Sequence, residues 1–219
     1  MFDGTLVNGA RIRNQEVIFD NIGPNISTGS YLRLPNGLLW NTAGFSSGSG
    51  ILSIESWFYL GTRNTAWNRI FQFGTRTSTC PSTVRCFRNF PDGGICCRAC
   101  GSSTLPQGGV CLTTPQFNGT RIHFVLVLDA NYGQLNLYFN GTLMGTSTMP
   151  NLLLGASDIF AIGAQDSTVD INPTTDAVID EFRIWRGELT SSMVALNFEL
   201  GPDNPINSKY LDILLFVDL

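Results

Sequence analysis

Lysine is almost absent. Lys209 stands alone against 12 arginines, and charged residues of both signs make up only 14% of the 219 positions. With a formal net charge of -4, such a chain offers no basic face for a nucleic-acid backbone, whose binding rests on phosphate neutralisation. Histidine is as scarce: His123 is the only one, and its place inside an apolar run makes it a satisfied structural imidazole, not a general base. Gly44-Phe-Ser-Ser-Gly48 has the letters of Gly-x-Ser-x-Gly, but it belongs to the Ser/Gly turn of residues 44–50 and does not read as a strand-to-helix elbow presenting a nucleophilic serine. The clustered carboxylates of a glycan hydrolase are also missing, because Asp180 and Glu181 are adjacent and a regular strand sends them to opposite faces. Together these absences argue against an enzyme. No apolar run reaches the roughly 18 residues of a membrane span. The opening Met1-Phe-Asp-Gly lacks a charged segment followed by an apolar one, so the chain reads as processed or as a piece of a longer protein.

What is abundant points to β structure. Apolar residues reach 43%, with 23 glycines and 10 prolines to make turns. Ala177 to Trp185 is the organising stretch: Val178, Asp180, Phe182 and Ile184 are expected on one face, with Ile179, Glu181, Arg183 and Trp185 on the other. Large apolar groups on both sides mark a central strand. Behind it, Thr190 is the expected N-cap of a short helix from Ser191 to about Phe198 that turns Met193, Val194 and Leu196 inward. Ile51 to Leu60 alternates well, and Asn68 to Gly74 is its natural partner. A meander follows through 120–129, 134–141 and 142–146, with Asn140-Gly141 as a tight hairpin turn. Short strands are expected at 6–12, 16–19 and 31–34.

All six cysteines, Cys80, Cys86, Cys96, Cys97, Cys100 and Cys111, fall in one stretch where alternation fades, residues 75–117. Fifteen pairings are open, of which a Cys96–Cys97 bridge is disfavoured, and a zinc site built on Cys96, Cys97 and Cys100 is the alternative. Disulfides are preferred because three Asn-x-Ser/Thr sequons, at Asn25, Asn118 and Asn140, independently indicate an oxidising, glycan-bearing extracellular setting. A cross-linked stretch without a core of its own is expected to stand apart as a small lobe.

Leu6-Val-Asn-Gly-Ala, Ile18-Phe-Asp-Asn and Tyr31-Leu-Arg-Leu-Pro, with the meander and the closing strand, turn and helix, resemble the laminin-G-like and pentraxin-like jelly rolls of concanavalin A type. The resemblance implies an all-β fold: an antiparallel two-sheet jelly-roll sandwich over residues 1–219, with one short C-terminal helix and the disulfide-rich insertion. It also implies a calcium loop at Gly163-Ala-Gln-Asp-Ser167, where Gln165 and Asp166 match the pattern. Ala164 replaces an acidic ligand, so Asp170 and Asp176 would have to complete the set. The other reading of this loop is an Asp/Asn-rich turn using its side chains locally.

Two functions from different classes remain. One is a structural extracellular glycoprotein subunit that binds copies of itself; the other is a calcium-dependent carbohydrate-binding module, with exposed aromatics such as Trp67 as sugar platforms. The apolar end, residues 208–219, resembles the first strand that the jelly roll otherwise lacks, so Tyr210, Leu211, Ile213, Leu215 and Val217 are expected in a paired strand. Either it folds back into its own sandwich or it is donated head to tail to a neighbour, forming a filament, and the latter is preferred.

Overall fold

Alternating apolar and polar residues become two-faced strands, and a computed structural model shows the described strands paired antiparallel in two sheets. It describes residues 4–20, 22–23, 28–36, 38, 50–62, 67–74, 83–88, 94–100, 108–112, 119–148, 159–164, 173–204, 206 and 212–217. The first half contributes β1 (Thr5–Val7), β2 (Arg11–Arg13), β3 (Glu16–Phe19), β4 (Tyr31–Leu34), β5 (Ile51–Leu60) and β6 (Arg69–Gly74). The cysteine-bearing stretch contributes β7 (Thr83–Arg88), β8 (Ile95–Cys100) and β9 (Gly108–Cys111). After it come β10 (Arg121–Asp129), β11 (Gln134–Phe139), β12 (Thr142–Thr148), β13 (Ile159–Ile162), β14 (Ala177–Arg186), α1 (Ser191–Leu200) and β15 (Asp212–Val217). Sheet A runs β1-β4-β13-β6-β7-β8-β9, and sheet B runs β12-β11-β10-β5-β14-β3-β2 with β15 also on β14.

The core lies between the sheets. Phe71, Phe73 and Phe160 from sheet A meet Phe58, Phe124 and Phe182 from sheet B in a chain of ring contacts with centroids 4.9 to 6.0 Å apart. Each ring is buried, and aromatic pairs at such spacing add to the burial of their area. β14 is central, as its sequence indicates, with β5 on one side and β3 and β15 on the other. Its faces differ from strict alternation, however: a register shift between Ile179 and Glu181 leaves Asp180 as an extra residue, so Ile179 shares the core with Phe182 and Ile184.

The cysteine-rich stretch is not a separate lobe. β7, β8 and β9 continue sheet A, and Val84, Cys86, Ile95, Cys97, Ala99 and Val110 belong to the main core. Cys86–Cys97 and Cys96–Cys111 each join residues directly opposite on neighbouring strands, the first pair facing the core and the second on the sheet's outer side. Cys100 is also disulfide-bonded, which removes the zinc reading; Cys80 lies outside the described residues. β9 then closes the open side of the sandwich, with Gly109 N donating to Ser147 Oγ on β12 at 3.0 Å and Val110 packed against Gly145.

In the single chain, the C-terminal strand pairs with β14 of its own sandwich. β3 covers only Ala177 to Ile179 of one β14 edge, and β15 covers Phe182 to Arg186 of the same edge, end to end with it. The linker reverses readily because Gly201 has φ of 80°, and the turn is tied down where Ile206 N donates to Asn197 Oδ1 at 3.1 Å. Thus Ile213, Leu215 and Val217 lie in a paired backbone, whereas Tyr210 and Leu211 fall outside the described residues.

Helix α1 begins as expected, with Thr190 Oγ1 accepting from Met193 N at 3.4 Å. It lies across the outer face of sheet B and buries Val194 and Asn197, whereas Leu196 is exposed. Apolar character alone points Leu196 inward, but the inward place goes to the polar Asn197 because sheet B presents a buried carboxyl beneath it.

Candidate functional site

Of the expected calcium ligands, Gln165, Asp166 and Asp170 lie outside the described residues. Asp176 is half-buried beside Gly61, where an added Cβ would collide with its carboxyl, and Ala164 is buried against Tyr31 and Ala161. Among the described residues no three His, Cys, Asp or Glu side chains are grouped to hold a metal. Of the expected ligand set, only Asp176 therefore lies among the described residues. Asn140 is exposed at φ 47° in the β11–β12 hairpin, while Asn25 and Asn118 lie outside the described residues.

His123 and the charges of β14 form a buried network under α1. Glu55 is wholly buried, and its Oε1 lies 3.0 Å from His123 Nε2 and accepts from Asn197 Nδ2 at 2.8 Å. Its Oε2 accepts from Trp185 Nε1 at 2.9 Å and from Arg183 at 3.5 Å. Arg183 also donates to Pro202 O, approaches Glu181 Oε2 at 3.5 Å and stacks over the Trp57 ring at 4.9 Å. Trp57 stacks in turn on His123 at 4.3 Å. The bulge corrects the expected geometry of Asp180 and Glu181, but the carboxyls go to different arginines, Arg121 and Arg183, and make no acid–nucleophile pair. This cluster is internal cement.

The opposite outer face, that of sheet A, is chemically different. Register places Arg33, Ala161, Gln72, Arg85, Arg98 and Gly109 directly across from one another on β4, β13, β6, β7, β8 and β9. Their neighbours Leu32, Phe71, Val84 and Cys97 face the core, so this row faces outward. At about 4.8 Å per strand, Arg33 and Arg98 stand about 19 Å apart. In the adjacent row, Phe87 is surrounded by guanidinium groups, with Arg69 at 4.9 Å, Arg98 at 5.3 Å and Arg85 at 5.7 Å from its ring. Gly109 makes room for this: a Cβ there would lie 2.7 Å from Arg98 Cγ, so the arginine stem crosses the glycine.

Trp67 caps the cluster. Its ring stacks on Phe87 at 5.2 Å and 23°, its N donates to Arg88 O at 2.9 Å, and its carbonyl accepts from Arg69 at 3.2 Å. Yet 43% of Trp67 remains exposed, and its φ is 68°. A bulky residue in the left-handed region carries strain that other contacts must hold, and such outliers gather at binding sites. Burial lowers the pKa of the neighbouring Arg88 from its ordinary value. The sequence singles out Trp67 but not the arginine row, because an overall negative charge hides a local basic strip.

The sequence model of the concanavalin A-like lectin/glucanases superfamily matches residues 27–195, more than half of the chain. The chain belongs to that superfamily. Within it, the laminin-G-type jelly roll is typically non-catalytic. No curated protein sequence matches the chain. Among solved structures, domain 4 of AbnA, an extracellular arabinanase from Geobacillus stearothermophilus in complex with arabinotriose, is 22% identical with a TM-score of 0.61. That similarity covers 88% of this chain and 86% of that one. The botulinum neurotoxin serotype D binding domain is 12% identical with a TM-score of 0.62, over 90% of this chain and 46% of the other. A botulinum neurotoxin type C structure, from a toxin whose cell entry depends on interaction with two ganglioside molecules, is 11% identical with a TM-score of 0.63, again over 90% and 46%. At these identities the similarity concerns the fold.

Proposed function

We propose that this chain is a non-enzymatic extracellular carbohydrate-binding module whose platform is Trp67. The observation that carries the reading is a half-exposed tryptophan held at φ 68° on a buried phenylalanine, beside a row of hydrogen-bond donors. Such a ring offers an apolar face to a sugar, and the neighbouring guanidinium groups supply the few polar contacts that set orientation. Arabinotriose on domain 4 of AbnA and gangliosides in the type C toxin's cell entry support carbohydrate as the ligand class. Two described disulfides support an oxidising extracellular location. Asn140, exposed on its hairpin, is the first glycan acceptor we expect on the module itself.

Recognition in this reading does not pass through calcium. Screening the intact chain and Trp67→Ala on a glycan array, with calcium and with a chelator, tests it: binding by the intact chain in both conditions and loss in the variant are expected. Equal binding by the variant would sink the platform, and loss of binding with the chelator would restore the calcium-dependent lectin. Head-to-tail assembly by strand donation takes second place, since β15 pairs with β14 of its own chain and a donated copy would have to displace it. Sedimentation as a monomer at high concentration is the expected result.

A further inference from the structure

Helix α1 leaves an apolar corner uncovered beside the β11–β12 hairpin. Phe198 is 42% exposed, although its ring stacks on the buried His123 at 5.8 Å and 16°. Leu143 is 47% exposed and lies opposite Tyr138, so it shares the face of sheet B that α1 crosses. The hairpin tip reaches the same corner: a Cβ on Gly141, at φ 78°, would stand 3.3 Å from both Phe198 Cδ1 and Ala195 Cα. Next to that glycine is Asn140, whose backbone N donates to His123 O at 2.8 Å and whose Oδ1 accepts from His123 N at 3.0 Å. Because an N–H donor identifies the amide oxygen, Nδ2 is the free arm, with no hydrogen bond among the described residues. Asn140-Gly-Thr142 is also a complete acceptor sequence for N-glycosylation, and Thr142 is exposed.

We propose that Asn140 carries an N-linked glycan whose first sugar lies on Phe198 and Leu143 and holds the last turn of α1 against the hairpin. The inference rests on the extracellular, glycan-bearing part of the reading above and adds what the glycan touches. Attachment joins Nδ2 to the anomeric carbon of a sugar delivered as a lipid-linked diphosphate; the bond from that carbon to the diphosphate oxygen breaks, the diphosphate leaves with the electron pair, and Nδ2 gives up one proton. Oδ1 takes no part, so its bond to His123 N persists and the sugar leaves the hairpin from a fixed stem. A pyranose ring turns a face of C–H groups to the electron-rich face of an aromatic ring and keeps its hydroxyls in water. The corner matches one sugar better than a protein partner, since two side chains fall far short of the roughly 800 Å² that a stable interface buries on each partner. Leu196 and Leu200 do not extend it, because they lie on the other flank of the helix, beyond the inward-facing Val194 and Asn197. A glycan here covers the sheet B side and leaves Trp67, on sheet A, free.

The test is a cycle of melting temperatures on the chain secreted from a eukaryotic host and trimmed enzymatically to one N-acetylglucosamine per site. Peptide mapping is expected to find that sugar on Asn140. Thr142→Ala removes the acceptor sequence and keeps the Asn140 side chain, and it is expected to lower the melting temperature by about 2–4 °C. In a Phe198→Ala background the same change is expected to cost under about 1 °C, with Leu143→Ser as the second background. The parent chain and Thr142→Ala made in a bacterial periplasm, without glycans, are expected to melt together, which separates the sugar from the threonine hydroxyl. An unmodified Asn140, or an equal cost of Thr142→Ala with and without glycans, overturns the inference. A sugar on Asn140 whose effect is undiminished in both backgrounds overturns the packing and leaves Asn140 as a glycan acceptor. If no sequon of the chain is modified, the glycan-bearing reading falls with it.

Discussion

The two outer faces of this sandwich both carry arginine, and they handle it in opposite ways. On sheet B, Arg183 meets Glu55 and Glu181 and stacks on Trp57, all beneath α1. On sheet A, the register sets arginine opposite arginine and surrounds an aromatic ring with three guanidinium groups. A buried charge with its counter-charge and hydrogen bonds supplied internally is a structural element that needs no ligand. On sheet A, Arg69, Arg85 and Arg98 gather around the Phe87 ring, beside a half-exposed tryptophan at positive φ. The difference lies in which neighbours the strand register supplies, since the residue type is the same.

The largest effect is expected where sheet B is broken. Glu55→Ala leaves Arg183, Trp185 Nε1 and Asn197 Nδ2 without their shared acceptor. Removing one member of such a buried set costs about 3–5 kcal/mol, so denaturant unfolding of this variant should show a severe loss or no folded protein. A second comparison sharpens the part played by the cysteine-rich strands. Replacing Cys86 and Cys97 together by alanine should lower stability by about 2–4 kcal/mol in the same measurement, because it removes a core-facing link between β7 and β8. A small change would mean that sheet pairing alone holds these strands. On sheet A, Arg98→Gln should move stability by less than about 1 kcal/mol, the range of a single cross-strand pair, and the melting curve should stay close to that of the parent chain. A loss as large as that at Glu55 would mean that the row is cement too.

The sequence carried the sandwich well where alternation was plain. The runs at Ile51 to Leu60 and Gln134 to Phe139 are strands, Thr190 caps its helix, and Asn140-Gly141 turns the hairpin. The strands of the cysteine-rich stretch escaped because Thr83-Val-Arg-Cys-Phe-Arg88 alternates only if cysteine counts as apolar, as Cys86 in the core does. Asp180 hid the bulge, since no local signal separates an extra residue from one that alternates. Glu55 in the middle of the best strand was a visible hint of a buried network, although its partners come from residues 123, 183, 185 and 197. The arginine row was illegible for the same reason. Arg33, Gln72, Arg85 and Arg98 become neighbours only through the pairing of five strands, and no local spacing announces it.

The most direct measurement follows the indole N–H resonances in a proton–nitrogen correlation spectrum while a sugar that binds on the array is titrated in. Trp57 and Trp185 belong to the sheet B cluster under α1, whereas Trp67 stands on sheet A. The predicted result is a saturable shift of the Trp67 indole, removed by Trp67→Phe as the assignment control, with Trp57 and Trp185 unmoved. A sugar that shifts Trp57 or Trp185 and leaves Trp67 in place would contradict the account, because recognition would then belong to the face read here as cement.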